Sequence, residues 1–147
     1  RVTSKVTVVS PALSYSSGVT YQSRYRTNIY TTATTPFPII RNEELVLIAA
    51  EIAAQQNNAT DAQKYINIVR TAAGLPIYAG ATTQAALIDA ILKERLYSLF
   101  YEGHRWVDMR RYDKLSQIVL PPVTPAMKVL TQLERPVAEV NWDKANP

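Results

Sequence analysis

Apolar residues change period along this chain, and the changes divide it. Over the first stretch Val2, Val6, Val8 and Val9 favour extended backbone, and the run after them is crowded with Ser and Thr, whose hydroxyls bond to nearby backbone and compete with helix. Pro36 and Pro38 close this stretch and hold it extended. From Asn42 the period is helical. Leu45, Ile48, Ala49 and Ile52 fall at i, i+3, i+4 and i+7, while Val46, Ala50 and Ala53 widen the apolar face, so a first helix buried on more than one side is expected. Asn57-Asn58-Ala59 ends it. Thr60 is placed to cap a second helix with Gln63 reaching back, and Ala62, Tyr65, Ile66, Val69 and Ala73 form its core stripe. Gly74 and Pro76 stop that helix.

The two helices and their short turn predict an antiparallel helical hairpin. After a Gly/Ala/Thr loop, a long third helix carries Ile88, Ile91, Leu92, Leu96 and Leu99 on one side and continues towards Arg111. Gly103 is placed to kink it, to end it, or to admit a neighbouring helix. Pro121, Pro122, Pro125 and Pro136 then predict an irregular tail around the core. The expected fold is therefore mainly α: an extended or loop segment over residues 1–40 and one helical domain over residues 41–147.

Composition removes several chemistries. Cysteine is absent, which excludes thiol catalysis, disulfides and cysteine-bound zinc. One histidine, His104, is too few for a histidine-built metal site, and an exposed or helix-packing role suffices for it. The net charge of +4 does not point to nucleic acid. Its excess lies in Arg1, Lys5, Arg24 and Arg26, scattered through a segment without a single acid, rather than in the clustered stripe that a phosphate backbone needs. No apolar run reaches the roughly 20 residues that cross a bilayer, since the longest, from Leu45 to Ala54, is interrupted by Glu51.

Charged chemistry concentrates between Lys93 and Arg111. Glu102, Arg105, Asp108 and Arg111 alternate in sign at i, i+3 steps, and Arg110 lies one turn beyond Trp106, within reach of a cation–π contact. Such a set can bind sugar, or it can lock the third helix against the hairpin. Apolar and aromatic neighbours on every side favour the lock, because buried charges must be paired. A glycosidase pair is missing: Glu94 and Glu102 are separated by a helical rise of roughly 12 Å, against the roughly 5–9 Å that the chemistry needs. Glu43 and Glu44 suit the positive end of a helix. With no phosphate loop, serine elbow or acidic metal loop, the expectation is a non-enzymatic chain without cofactor or metal.

A ligand surface is then expected in loops that the helices support. Tyr21, Tyr25 and Tyr30 are the candidates, being aromatic, set among Ser, Thr, Gln and Asn, and outside any core stripe. Tyr78 and Trp142 come second, and Tyr65, Tyr97 and Tyr101 are assigned to packing.

Three segments in order also carry a resemblance. The run Lys93-Glu94-Arg95 through Glu102-Gly103-His104-Arg105-Trp106-Val107-Asp108-Met109-Arg110-Arg111, the helix Ile39-Ile40-Arg41-Asn42-Glu43-Glu44-Leu45 to Glu51, and Ala62 through Ile66-Asn67-Ile68-Val69-Arg70 to Gly74-Leu75-Pro76 resemble the SusD/RagB family. Arg135-Pro136-Val137-Ala138-Glu139-Val140-Asn141 is a weaker echo of its C-terminal motif. The departures are Ala72, where arginine is common, and Phe100-Tyr101, where a plainer leucine-rich turn is usual. The resemblance implies a tetratricopeptide-like hairpin and the C-terminal portion of a longer lipoprotein. It further implies a place on the outer membrane, with a lipid-bearing cysteine outside this sequence. Such a protein captures an oligosaccharide or similar nutrient without catalysis and passes it to a SusC-like TonB-dependent transporter, and it needs no cofactor. A competing expectation is a helical-repeat scaffold that binds protein partners and no sugar.

Overall fold

The computed structural model describes residues 2–16, 20–120, 127–132 and 135–146, with backbone alone at 2–3, 15–16 and 20–21. Pro121, Pro122 and Pro125 lie outside the described residues. A single helical turn, α1 (Val2–Lys5), leads into an antiparallel hairpin of β1 (Val6–Ser16) and β2 (Thr20–Thr27). The expected extended segment is thus a hydrogen-bonded pair of strands. Its register slips between Val8 and Leu13.

The helical part follows: α2 (Asn42–Gln55), α3 (Ala59–Ala72), α4 (Gln84–Ser98), α5 (His104–Arg111) and α6 (Val137–Ala145), with a short 3-10 turn at Leu115–Gln117. The chain is mainly α, and α2 with α3 forms the expected hairpin. One residue explains why its turn is so tight. Asn57 takes a left-handed conformation, φ 58°, and donates to the carbonyl of Ala54. Asn58 next donates its N–H to Ala53, which completes a Schellman close for α2, while its side chain accepts from the Asp61 N–H at 3.1 Å and so caps α3. The cap is therefore Asn58 rather than Thr60. Asparagine is the better capping residue, and the left-handed turn delivers it to that place two residues earlier than the capping-box pattern suggested. Gly74, φ 67°, closes α3 the same way, with Leu75 N–H donating to Arg70 and Gly74 N–H to Thr71.

The core lies where α2, α3 and α4 meet. Ala50, Ala53 and Ala54 of α2 let the helices approach closely, and Ala62, Ile66, Leu87, Ile88, Ile91 and Leu92 fill the space. The stripes of α3 and α4 face inward as the periodicity predicts. The stripe of α2 does not. Leu47 is buried with the small alanines, whereas Leu45, Ile48 and Ile52 are exposed. The wide apolar face of this helix has one side in the core and the bulkier side uncovered.

The long third helix is two helices. α4 ends at Ser98, and Gly103, φ 81°, starts α5 in a conformation that glycine adopts without a steric cost. What ends α4 is tertiary. Lys5 Nζ donates to the carbonyls of Tyr97 and Ser98 at 2.9 and 2.6 Å, and Arg41 donates to Ser98 at 3.1 Å, so two cations occupy the negative end of the helix. The tail also departs from expectation, because α6 forms beyond Pro136, which at the N-cap needs no N–H of its own.

Candidate functional site

The charged run that stands out in the sequence joins helices. Arg95 Nε donates to Asp108 at 2.6 Å, with both side chains almost wholly buried. Arg111 makes two bonds to Glu51 of α2, at 2.5 and 3.0 Å, and reaches Asp108 at 3.4 Å. The Tyr112 hydroxyl donates to the same Glu51 at 2.5 Å and accepts from Gln55 at 3.1 Å. Glu102 takes a bond from Arg41 at 2.7 Å, and Arg41 also pairs with Glu43. Glu94 of α4 is held by Arg70 of α3 at 2.7 Å. The i, i+3 ladder is therefore mostly a set of bonds between helices, and Arg105 turns away to the Leu92 carbonyl at 3.5 Å.

The charges answer this arrangement. Burial would raise the Glu51 carboxyl, but the hydrogen bonds from Arg111 and Tyr112 outweigh it and hold the group below the ordinary carboxylate range. The bond to Glu51 raises Arg111, and burial together with the same carboxylate raises the Tyr112 phenol. Trp106 is half-buried, donates Nε1–H to the Leu130 carbonyl at 2.9 Å, and carries Arg110 over its ring at 5.1 Å. His104 lies 3.7 Å from Glu44. Between α2 and α5 runs a groove of about 690 Å³ lined by Ile48, Ile52 and Val107, with Glu51, Asp108 and Arg111 at its base.

A different arrangement forms where Tyr30, Phe37 and Tyr101 meet. Tyr30 and Phe37 stack, with ring centroids 5.4 Å apart and planes 25° from parallel. Tyr101 joins them at 6.3 Å from Tyr30, and Phe100 lies 6.1 Å from Tyr101. Phe37 is 64% exposed and Tyr101 61%. Between Tyr30 and Phe37 the chain makes a threonine-rich turn: Thr35 N–H donates to the Thr32 carbonyl at 3.2 Å, and the Thr32 hydroxyl lies 3.0 Å from that of Thr35 and 3.3 Å from that of Thr34. Pro36 and Pro38 fix the backbone around Phe37, and Tyr101 is held out by its own left-handed backbone, φ 73°. The result is a platform in which the exposed rings of Phe37 and Tyr101 flank a half-buried Tyr30, with the threonine-rich turn between Tyr30 and Phe37 in sequence.

Of the three tyrosines singled out in the sequence, Tyr30 is in this platform. Tyr25 is 66% exposed on β2, opposite Val8, and contacts none of these rings. The Tyr21 side chain lies outside the described residues. Tyr78 packs against the core and donates to the Ala81 carbonyl at 2.9 Å, so packing claims it, while Trp142 is exposed on α6. Phe37 and Tyr101 join this cluster although neither was a candidate. Tyr101 had been given to packing on the assumption of a continuous helix, although Phe100-Tyr101 was already a departure from the leucine-rich turn. Phe37 stood between two prolines, a placement that presents a ring rather than burying it.

The result is a helical scaffold whose interior carboxylates are tied to arginines, with a cluster of aromatic rings beside it. The comparisons place that scaffold in a family. The sequence model of the SusD family matches residues 14–145, and the chain belongs to this family. It is also 31% identical over 91 residues to the SusD-like protein P38 of Formosa agariphila. That match covers 56% of this chain and 18% of the relative's length. No solved structure matches.

Proposed function

We propose that this chain is part of a non-catalytic binding protein of the bacterial outer-membrane surface, in which Tyr30, Phe37 and Tyr101 stack against an oligosaccharide. The observation that carries the reading is the ring cluster of Tyr30, Phe37 and Tyr101, the last two exposed, next to a threonine-rich turn in a member of the SusD family. Sugars present flat apolar C–H faces bordered by hydroxyls, and aromatic rings next to neutral donors and acceptors complement both. Residues 41–147 act as the supporting domain and contribute Tyr101, and residues 1–40 contribute Tyr30 and Phe37. The bound glycan passes to a SusC-like TonB-dependent transporter, and a lipid-bearing cysteine elsewhere in the protein holds it at the membrane. Absence of catalysis is supported by the carboxylates themselves, since Glu51, Glu94, Glu102 and Asp108 each bond to an arginine. Among the described residues no helix is long and apolar enough to cross a membrane.

The reading is tested by affinity electrophoresis through gels that contain xylan, starch or a β-glucan. Retardation by at least one polymer is expected, and Tyr30→Ala or Tyr101→Ala should weaken that binding by about 1–3 kcal/mol, the scale of a lost aromatic anchor. Folded variants that migrate like the parent would refute it. One observation favours a second reading. Ile48, Ile52 and Val107 expose apolar surface along the α2–α5 groove, as a scaffold for protein partners would.

A further inference from the structure

We infer that the glycan is anionic and that Arg24 and Arg26 read its carboxylate or sulfate groups. The inference rests on the aromatic platform as a glycan site and adds the ligand's charge. Among the described residues, every arginine from Arg41 onward has a partner. Arg41, Arg70, Arg95 and Arg111 meet carboxylates, Arg105 a carbonyl and Arg110 a ring, and Arg135 pairs with Glu139 and Asp143. Arg24 and Arg26 are exposed on β2, and among the described residues their guanidinium groups meet no carboxylate, carbonyl or ring. The first 40 residues supply no acid to pair with them.

Arg26 pairs with Thr7 of β1, and Arg24 lies where the register shifts between Val8 and Leu13. The two arginines are two residues apart on β2, a separation of about 7 Å along the strand, so they form a short cationic row. A guanidinium fork grips carboxylate or sulfate oxygens with two parallel bonds, and on an exposed strand that gain is not offset by burying an unpaired charge. The row is also close to the rings. Tyr30 lies four positions beyond Arg26, a backbone span of at most about 14 Å, so one extended oligosaccharide can lie on the platform and reach the arginines. A pair of this kind suits charges borne singly along a sugar chain. A nucleic-acid backbone, with its denser phosphates, needs a longer stripe.

The test compares polymers with a shared backbone: polygalacturonate against its fully methyl-esterified form for carboxylate, and dextran sulfate against dextran for sulfate. The whole 147-residue chain is used, with single-stranded DNA as a competitor. Tighter binding of at least one charged polymer than of its neutral partner is expected, and the two arms identify which anion is read. Arg24→Gln with Arg26→Gln should lower affinity for that polymer about tenfold, equivalent to about 1.4 kcal/mol, and leave neutral binding unchanged. Lys93→Gln with Lys144→Gln removes the same charge from exposed sites elsewhere and should change nothing. Equal binding of charged and neutral forms, an unchanged arginine variant, an equal loss in the lysine variant, or full competition by DNA would each overturn the inference. If neutral polymers bind through Tyr30 and Tyr101 without any preference for charge, the platform stands and only this inference falls. If no polymer binds at all, both fall.

Discussion

Arg95 and Asp108 meet at 2.6 Å, and both side chains are almost wholly buried. Removing one partner strands the other charge away from water. Asp108→Ala should therefore cost about 3–5 kcal/mol in urea unfolding, whereas the double change Arg95→Met with Asp108→Leu should recover most of that loss. A single variant as stable as the parent would mean that the pair is hydrated and not a lock. Trp106→Ala belongs at the lower end of large-to-small changes, about 1–3 kcal/mol, because the ring is half-buried rather than enclosed. Glu51 gives a pH dependence whose sign follows from its depressed pKa. The folded state holds the carboxylate charged more strongly than the unfolded chain does, so the contribution is present above the ordinary carboxylate range and is lost as pH falls through the folded value. The gap in melting temperature between parent and Glu51→Gln should narrow steadily below about pH 4. A gap that stays constant into acid would contradict the pairing. At this scale the charges were legible in the sequence as a constellation that must pair, but their partners were not. The i, i+3 spacing suggested neighbours on one helix, and the fold brings Arg41, Glu51 and Arg95 to them instead.

Helix positions followed from periodicity, and two of their boundaries did not. At the α2–α3 turn two capping residues competed, and geometry chose the one that follows a left-handed asparagine. Asn58→Ala should cost about 1 kcal/mol and Thr60→Ala only a few tenths, read as shifts in urea midpoint at constant slope. The reverse order would restore the capping box. The break between α4 and α5 was less legible still, because Leu99 through Glu102 carry no breaker before Gly103. The helix stops where Lys5 and Arg41 take its last carbonyls, and both come from distant sequence. The exposed isoleucines of α2 teach a related lesson. A wide apolar face predicts contact on several sides, but periodicity does not say which sides this chain itself covers.

Across the whole molecule two surfaces compete for the functional role, the ring platform beside the strand hairpin and the apolar groove between α2 and α5. Composition pointed to the first, since neutral hydroxyl-bearing residues and tyrosines are interleaved before Pro36. It named Tyr30 and could not name Phe37 or Tyr101, because their meeting depends on the turn after α4. The central claim is that the platform holds the sugar, and an NMR titration of the chain with oligosaccharides cut from a polymer it binds tests this most directly. Amide and aromatic shifts should move at Tyr30, Phe37, Tyr101 and the turn from Thr32 to Thr35, with Ile48, Ile52 and Val107 unmoved. Perturbations confined to the groove residues, with the platform silent, would contradict the account.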